Sequence, residues 1–175
     1  DSSLIYDGSS GMASAKGQWQ GAPAFQEGLV WVDTQKNGHA WTVLEDMHWL
    51  RKALVTGIRD NFHKQGVEGA IVGMSGGLDS AVVATLAREA LGSSKVLGVA
   101  LPSLVTSSES IRLAEQQCKK LGIELRMISI TEPHASLEKA IRNQTGTPLA
   151  PRTHENLQSR IRGQILMALT TEPSV

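Results

Sequence analysis

Apolar residues in the second half of the chain come in short runs, each followed by a stretch where they recur every three or four positions. Ala70-Ile71-Val72-Gly73-Met74 is the first run, Val96-Leu97-Gly98-Val99-Ala100-Leu101 the second, and residues 123–130 the third. A short run predicts a buried strand, and the longer period predicts an amphipathic helix. After the first run a helix is expected over residues 79–91, packing through Ala81, Val82, Leu86 and Leu91. After the second, Thr106-Ser107-Ser108-Glu109 is a capping signature with Ser107 or Thr106 as N-cap. Its helix carries Ile111, Ala114, Cys118 and Leu121 and stops at Gly122. A weaker helix over 134–142, a loop over 143–152 and a final helix over 153–169, opened by a Thr153 cap, complete the pattern. Strands alternating with helices imply a parallel sheet joined by right-handed crossovers, the α/β class. Ligands of such sheets bind outside the carboxyl ends of the strands. That places the turn after Met74 and the turn at Leu101-Pro102-Ser103 on one edge, the second able to line an adenine or ribose pocket.

The earlier part reads differently. Over residues 1–33, Leu4-Ile5-Tyr6, Met12-Ala13-Ser14-Ala15 and Leu29-Val30-Trp31-Val32 are β-prone and separated by glycine turns, predicting two or three strands. Gly8-Ser9-Ser10-Gly11 lacks the spacing of a nucleophile elbow and is read as a turn. Residues 34–41, with Asn37-Gly38, form a linker. A helix over residues 42–64 follows, with Met47, Leu50, Leu54, Ile58 and Phe62 on one stripe and Gly66 as its stop. His48 and His63 have no partner at a metal-ligand spacing and are ordinary boundary histidines.

Composition adds bounds rather than function. The 175 residues fit about one domain, on a prior of roughly 150 residues each. At 41% hydrophobic the chain can bury a core. Seventeen basic and seventeen acidic residues cancel, so no electrostatic footprint for nucleic acid is visible. One cysteine, Cys118, excludes an internal disulfide; it falls on an apolar stripe and reads as core. No run reaches membrane-spanning length and no signal peptide opens the chain. The expectation is a cytoplasmic protein with neither nucleic acid nor membrane as partner.

The chemistry concentrates after the first strand, in Ser75-Gly76-Gly77-Leu78-Asp79-Ser80. Glycines let this turn take φ > 0 and approach a ligand closely. The first N–H groups of the following helix lack intrahelical partners and, with the helix dipole, form an anion site suited to phosphate. Ser75 and Ser80 add hydroxyls, and the Asp79 carboxylate suits Mg²⁺ beside phosphates. No lysine lies in the turn, so this is not a Walker A loop. The residues resemble the S-G-G-x-D-S pyrophosphate loop of the N-type ATP pyrophosphatases, which adenylylate an oxygen of their substrate. That resemblance implies ATP or pyrophosphate binding by Gly73, Met74, Ser75, Gly76, Gly77, Leu78, Asp79 and Ser80. It also implies a partial doubly wound, Rossmann-like parallel sheet, with ATP and Mg²⁺ as cofactors and Asp79 as metal ligand.

A second stretch narrows the resemblance. Glu155-Asn156-Leu157-Gln158-Ser159-Arg160-Ile161-Arg162-Gly163 resembles the E-N-x-Q-A-R-x-R-G segment of NAD⁺ synthetases, and Gly98 to Ser103 with Thr106 to Glu109 is similar to theirs too. By spacing, Asn156 and Arg160 share a helical face, whereas Arg162 points roughly 200° away from Arg160. Spacing alone also fits a solvated helix with exposed arginines. The resemblance assigns Asn156 and Arg160 to nicotinate adenine dinucleotide (deamido-NAD⁺), and it implies the glutamine-dependent members. Asp7–Ser10 and Ala24–Glu27 look like the end of their nitrilase-type glutaminase domain. On this reading residues 1–33 are a short β-rich remnant of that domain, 34–41 a linker, and 42–175 the first part of the synthetase domain. Ammonia from glutamine and a homo-oligomeric intact enzyme are implied. The glutaminase Glu, Lys and Cys and the later T-G-N-K-S-E segment have no counterpart here, so an internal piece, inactive alone, is expected. Other N-type ATP pyrophosphatases (GMP synthetase or tRNA-thiolating types) and a non-catalytic nucleotide-binding fragment are the alternatives.

Overall fold

The computed structural model describes residues 4–36, 38–40 and 46–172, and these separate into two compact units, residues 1–67 and 68–175. In the first unit β1 (Gly11–Ala13), β2 (Gln18–Gly21) and β3 (His39–Ala40) form an antiparallel sheet in that order. Gly17, at φ +73°, makes the turn between β1 and β2. The pairing Gln18↔Ala40 and Trp19↔His39 turns the end of the expected linker into a strand. Residues 1–33 thus hold two strands, within the expected two or three, but two of the β-prone runs are not among them. Residues 4–6 and 29–32 are irregular, with Leu29 and Trp31 95% and 96% exposed and, among the described residues, no neighbouring strand to complete a ladder. The turn at residues 8–11 is as expected, with Gly8 at φ +78° and Ser9 N–H donating to the Asp7 carbonyl at 3.0 Å. Helix α1 (Asp46–Gln65) belongs to this unit, where Phe25 meets Trp49 edge-on at 5.1 Å. The expected start of that helix at residues 42–45 lies outside the described residues, as does Asn37.

The second unit carries the parallel sheet. Strands β4 (Ala70–Gly73), β5 (Val96–Ala100) and β6 (Glu124–Met127) pair in that order, in parallel. Helix α2 (Leu78–Leu91) and a single 3-10 turn at Ser93–Lys95 join β4 to β5. Helix α3 (Ser108–Leu121) joins β5 to β6, and α4 (Thr131–Thr145) and α5 (Pro151–Leu169) follow. This is the α/β parallel sheet that the pattern predicts.

Both faces of the sheet are covered. Ala84 and Ala87 of α2 and Ala114 and Cys118 of α3 pack with Val72, Met74 and Val96 in one cluster. Ile161 of α5 packs with Leu97, Val99, Leu101 and Ile130 in another. The central strand β5 is therefore buried at all five positions, as parallel strands covered on both faces are. Cys118 is a core residue, and burial raises its thiol pKa.

Three boundaries differ from expectation. The third strand ends at Met127, and α4 begins at Thr131 rather than near 134. The last helix opens two residues before Thr153, with Ala150 as N-cap and no side-chain cap. Pro151 sets that start, because its fixed φ suits the first helical position and its missing N–H costs nothing there. At α3 the cap is Ser107, whose Oγ accepts from Ser110 N–H at 3.1 Å. Thr106 turns back instead, its Oγ1 accepting from Ser103 N–H at 2.9 Å.

Candidate functional site

The turn after β4 is held by its own hydroxyls. Ser75 Oγ accepts from Gly77 N–H at 3.1 Å, and Ser80 Oγ accepts from Ser75 N–H at 3.3 Å while donating to the Gly77 carbonyl at 3.0 Å. The two hydroxyl oxygens stand 3.1 Å apart. The serines therefore shape the loop: Ser80 gives its one proton to the Gly77 carbonyl, so the Ser75 hydroxyl is the one able to turn to a ligand.

The two glycines are not equivalent. Gly76 sits at φ +77°, and a Cβ there would run into the Ser110 carbonyl at the start of α3. Gly77, the N-cap of α2, has φ −88° and ψ 165°, an extended backbone open to any residue. A Cβ on it would meet only Ser75 Oγ, at 3.2 Å. Only one of the two positions thus needs the left-handed region; at the other, the missing side chain leaves room on the loop surface.

Helix α2 begins at Leu78 without a side-chain cap, and its first intrahelical bond runs from Ala81 N–H to the Gly77 carbonyl at 3.2 Å. The N–H groups of Leu78, Asp79 and Ser80 precede that bond and lack intrahelical acceptors. Leu78 and Asp79 are exposed, and the Asp79 carboxylate stands in the first turn of α2.

Beside the loop lies a cavity of about 330 Å³ at the carboxyl ends of β4 and β5. Gly73, Met74 and Ser75 contribute one wall, and Leu101 and Pro102 another, so both predicted turns meet at one edge. Thr106 and Ser110 line it from the start of α3. Arg162 and Leu166 of α5 close it, and Arg162 is the sole ionisable residue among those lining it. The Arg162 guanidinium is half-buried; Nε donates to the Leu101 carbonyl at 3.1 Å and Nη2 to Gln158 Oε1 at 3.4 Å. Those bonds fix the fork while leaving N–H donors for an anion.

Asn156 and Arg160 share an exposed face of α5, and neither lines this cavity. The helix explains the division. Leu157, Ile161 and Ile165 face the sheet, and Arg162, one position beyond buried Ile161, is carried to the cavity rim. Helical spacing alone gives only the divergence of Arg162 from Arg160, not its place at the cavity. Its neighbour Ile161 on the core stripe was the available signal.

A profile of the family described as NAD synthase matches residues 50–174. The chain is similar to the glutamine-dependent NAD(+) synthetase of Thermotoga maritima, at 42% identity over 142 residues, covering 79% of this chain and 25% of that protein. It is also similar to the enzyme of the same name from Synechocystis, at 38% identity over 182 residues, covering 97% of this chain and 32% of that one. Among solved structures it resembles the glutamine-dependent NAD+ synthetase of Acinetobacter baumannii in complex with ADP. There the TM-score is 0.85 at 31% identity, covering 94% of this chain and 32% of that chain. The chain thus spans about a quarter to a third of the length of the relatives it matches.

Proposed function

This chain belongs to the NAD synthase family, and we propose that it supplies the pyrophosphate loop and part of the dinucleotide site of a glutamine-dependent NAD⁺ synthetase. The observation that carries the reading is the cavity: apolar walls, one cation at Arg162, and an edge formed by Gly73, Met74 and Ser75 where the glycine turn begins. A nucleotide needs such a set, with apolar surface for its base and donors for its phosphates. A relative solved with ADP supports nucleotide binding in this family.

In the proposed reaction the pyridine carboxylate of deamido-NAD⁺ attacks the α-phosphorus of ATP. A carboxylate oxygen forms the new P–O bond, and the α–β P–O bond breaks with its electron pair leaving on pyrophosphate. Ammonia from glutamine then forms the C–N bond, AMP leaves with the C–O electron pair, and the nitrogen sheds a proton to give the amide. The chain's contribution is positioning and charge stabilisation. The backbone N–H groups of Gly76, Leu78, Asp79 and Ser80 would hold the departing pyrophosphate, with Gly73 and Met74 at the base of the loop and the Gly77 N–H kept by Ser75 Oγ. Asn156 and Arg160 would meet the dinucleotide from the exposed face of α5.

The oxygen set fits Mg²⁺, which binds through one or two carboxylates plus substrate phosphates, and Asp79 would hold it. When bound, the ion offsets charge on the phosphates. We assign residues 1–33 to the end of a nitrilase-type glutaminase domain. A cytoplasmic location and a homo-oligomeric intact enzyme complete the proposal. Among the described residues no helix is long and apolar enough to cross a membrane.

Competition binding tests the substrate. The chain should bind ATP with Mg²⁺ and deamido-NAD⁺, with Asn156→Ala and Arg160→Ala each weakening the dinucleotide and sparing ATP. Binding of xanthosine monophosphate in preference to deamido-NAD⁺ would move the chain to the GMP synthetase reaction.

A further inference from the structure

Away from the cavity, two histidines and a glutamate converge where α4 meets α5. His134 and Glu138 stand four apart on α4 and so share a face. His154 reaches them from the first turns of α5. His154 Nδ1 lies 3.3 Å from His134 Nε2, the rings tilted by 30° with centroids 5.2 Å apart. Glu138 Oε1 lies 4.0 Å from His154 Nε2. The three side chains offer ligand atoms all within 4.8 Å of one another.

The chemistry of this set is unlike that of the phosphate loop. Two imidazole nitrogens bound to one tetrahedral zinc at about 2.0–2.1 Å are roughly 3.3 Å apart, the separation seen here. Without a metal the two nitrogens share an N–H···N hydrogen bond at that separation, and an ion between them would replace its proton. Imidazole suits borderline transition metals, whereas Mg²⁺ prefers oxygen ligands and sheds water reluctantly. His154 and Glu138 side chains are 32% and 33% exposed, so a metal could enter and keep one position for water.

We propose that His134 Nε2, His154 Nδ1 and a Glu138 carboxylate oxygen form a site for a zinc-class divalent transition metal. The ion would cross-link α4 to α5, on either side of the connection at residues 146–150. Glu138 stands nearest the other ring nitrogen, His154 Nε2, so its carboxylate would swing towards the Nδ1 side to take the third ligand position. The site is independent of the nucleotide reading, since no residue is shared.

Calorimetric titration of the full chain with zinc chloride, in the presence of excess Mg²⁺, tests it. The expected result is one equivalent of zinc bound at about micromolar affinity or tighter. Loss of a supporting shell residue alone typically costs metal sites 10–100-fold, so His154→Ala and His134→Gln should each weaken binding by at least tenfold. Cobalt(II) loaded in place of zinc should give the visible bands of tetrahedral coordination without thiolate charge transfer. Zinc should raise the melting temperature of the wild-type chain and leave unchanged that of the double variant carrying both His134→Gln and His154→Ala, provided it folds by circular dichroism. No binding tighter than millimolar, or undiminished binding by the double variant, would overturn the proposal.

Discussion

Leu29-Val30-Trp31-Val32 and Val96-Leu97-Gly98-Val99 look alike as sequences: short, apolar and rich in β-branched residues. Only the second is a strand. Both faces of β5 are covered and both edges paired, and Val99 is fully buried. The first run has no ladder, and Trp31 is 96% exposed. Local preference proposes a strand; hydrogen-bonding neighbours and a covered face decide it. The largest expected contrast follows from this. Val99→Asp buries a charge without a partner and should cost about 4 kcal/mol or more, whereas Trp31→Ala should stay within about 0.5 kcal/mol. Denaturant unfolding of the two variants measures both, and comparable losses would break the comparison.

A second like pair is Gly76 and Gly77, one in the left-handed region against a carbonyl, the other extended and open. Gly76→Ala should destabilise the unit by roughly 1–3 kcal/mol through strain and collision, and Gly77→Ala by less than about 1 kcal/mol. Equal melting temperatures for the two variants would show that the turn relaxes around either side chain.

Acids in the first turns of two helices make a third contrast. Glu109 of α3 is tied to Arg112 by hydrogen bonds of 2.6 and 2.8 Å, while Asp79 of α2 forms no side-chain ion pair among the described residues. Asp79→Asn should therefore preserve thermal stability yet abolish the Mg²⁺ dependence of ATP binding. Titrations with and without Mg²⁺ compare the two, and an undiminished dependence would place the ion elsewhere.

The Glu109 pair yields the smallest effect. Its hydrogen bond to Arg112 lowers the Glu109 pKa below the ordinary glutamate value. A depressed acid contributes stability that is present above its unfolded pKa and lost as pH falls through the folded one. The contribution thus fades below about pH 4.3. Both groups are solvent-exposed, so the effect is slight. Melting temperatures of wild type and Arg112→Ala should differ little near neutrality and converge in acid; divergence as the pH falls would reverse the sign.

What was legible follows the same physical division. The parallel sheet and its helices were readable because doubly covered strands are continuous apolar runs and amphipathic helices repeat every 3.6 residues, and the Ser75 turn from its glycines and serines. The convergence of the Leu101-Pro102 turn with the glycine loop was readable from the rule for carboxyl ends of parallel strands. Strand β3 was hidden because a two-residue strand is created by its partner, not by His39-Ala40 alone. Arg162 and the His134–Glu138–His154 cluster were hidden for a related reason. Arg162 reaches the cavity because α5 packs beside Leu101, 61 residues earlier, and the cluster needs the packing angle between the successive helices α4 and α5, which neither helix encodes alone.

The central claim is that the glycine turn receives the pyrophosphate portion of ATP, and Gly77 offers the most direct test. A methyl group there intrudes on the loop surface with little demand on the backbone, so binding can be separated from folding. Calorimetric titration of the folded wild type and Gly77→Ala with pyrophosphate and Mg²⁺ is the measurement. The account predicts measurable binding by the wild type, weakened at least about tenfold in the variant, a loss of about 1.4 kcal/mol. Equal affinity in both, at unchanged melting temperature, would contradict it.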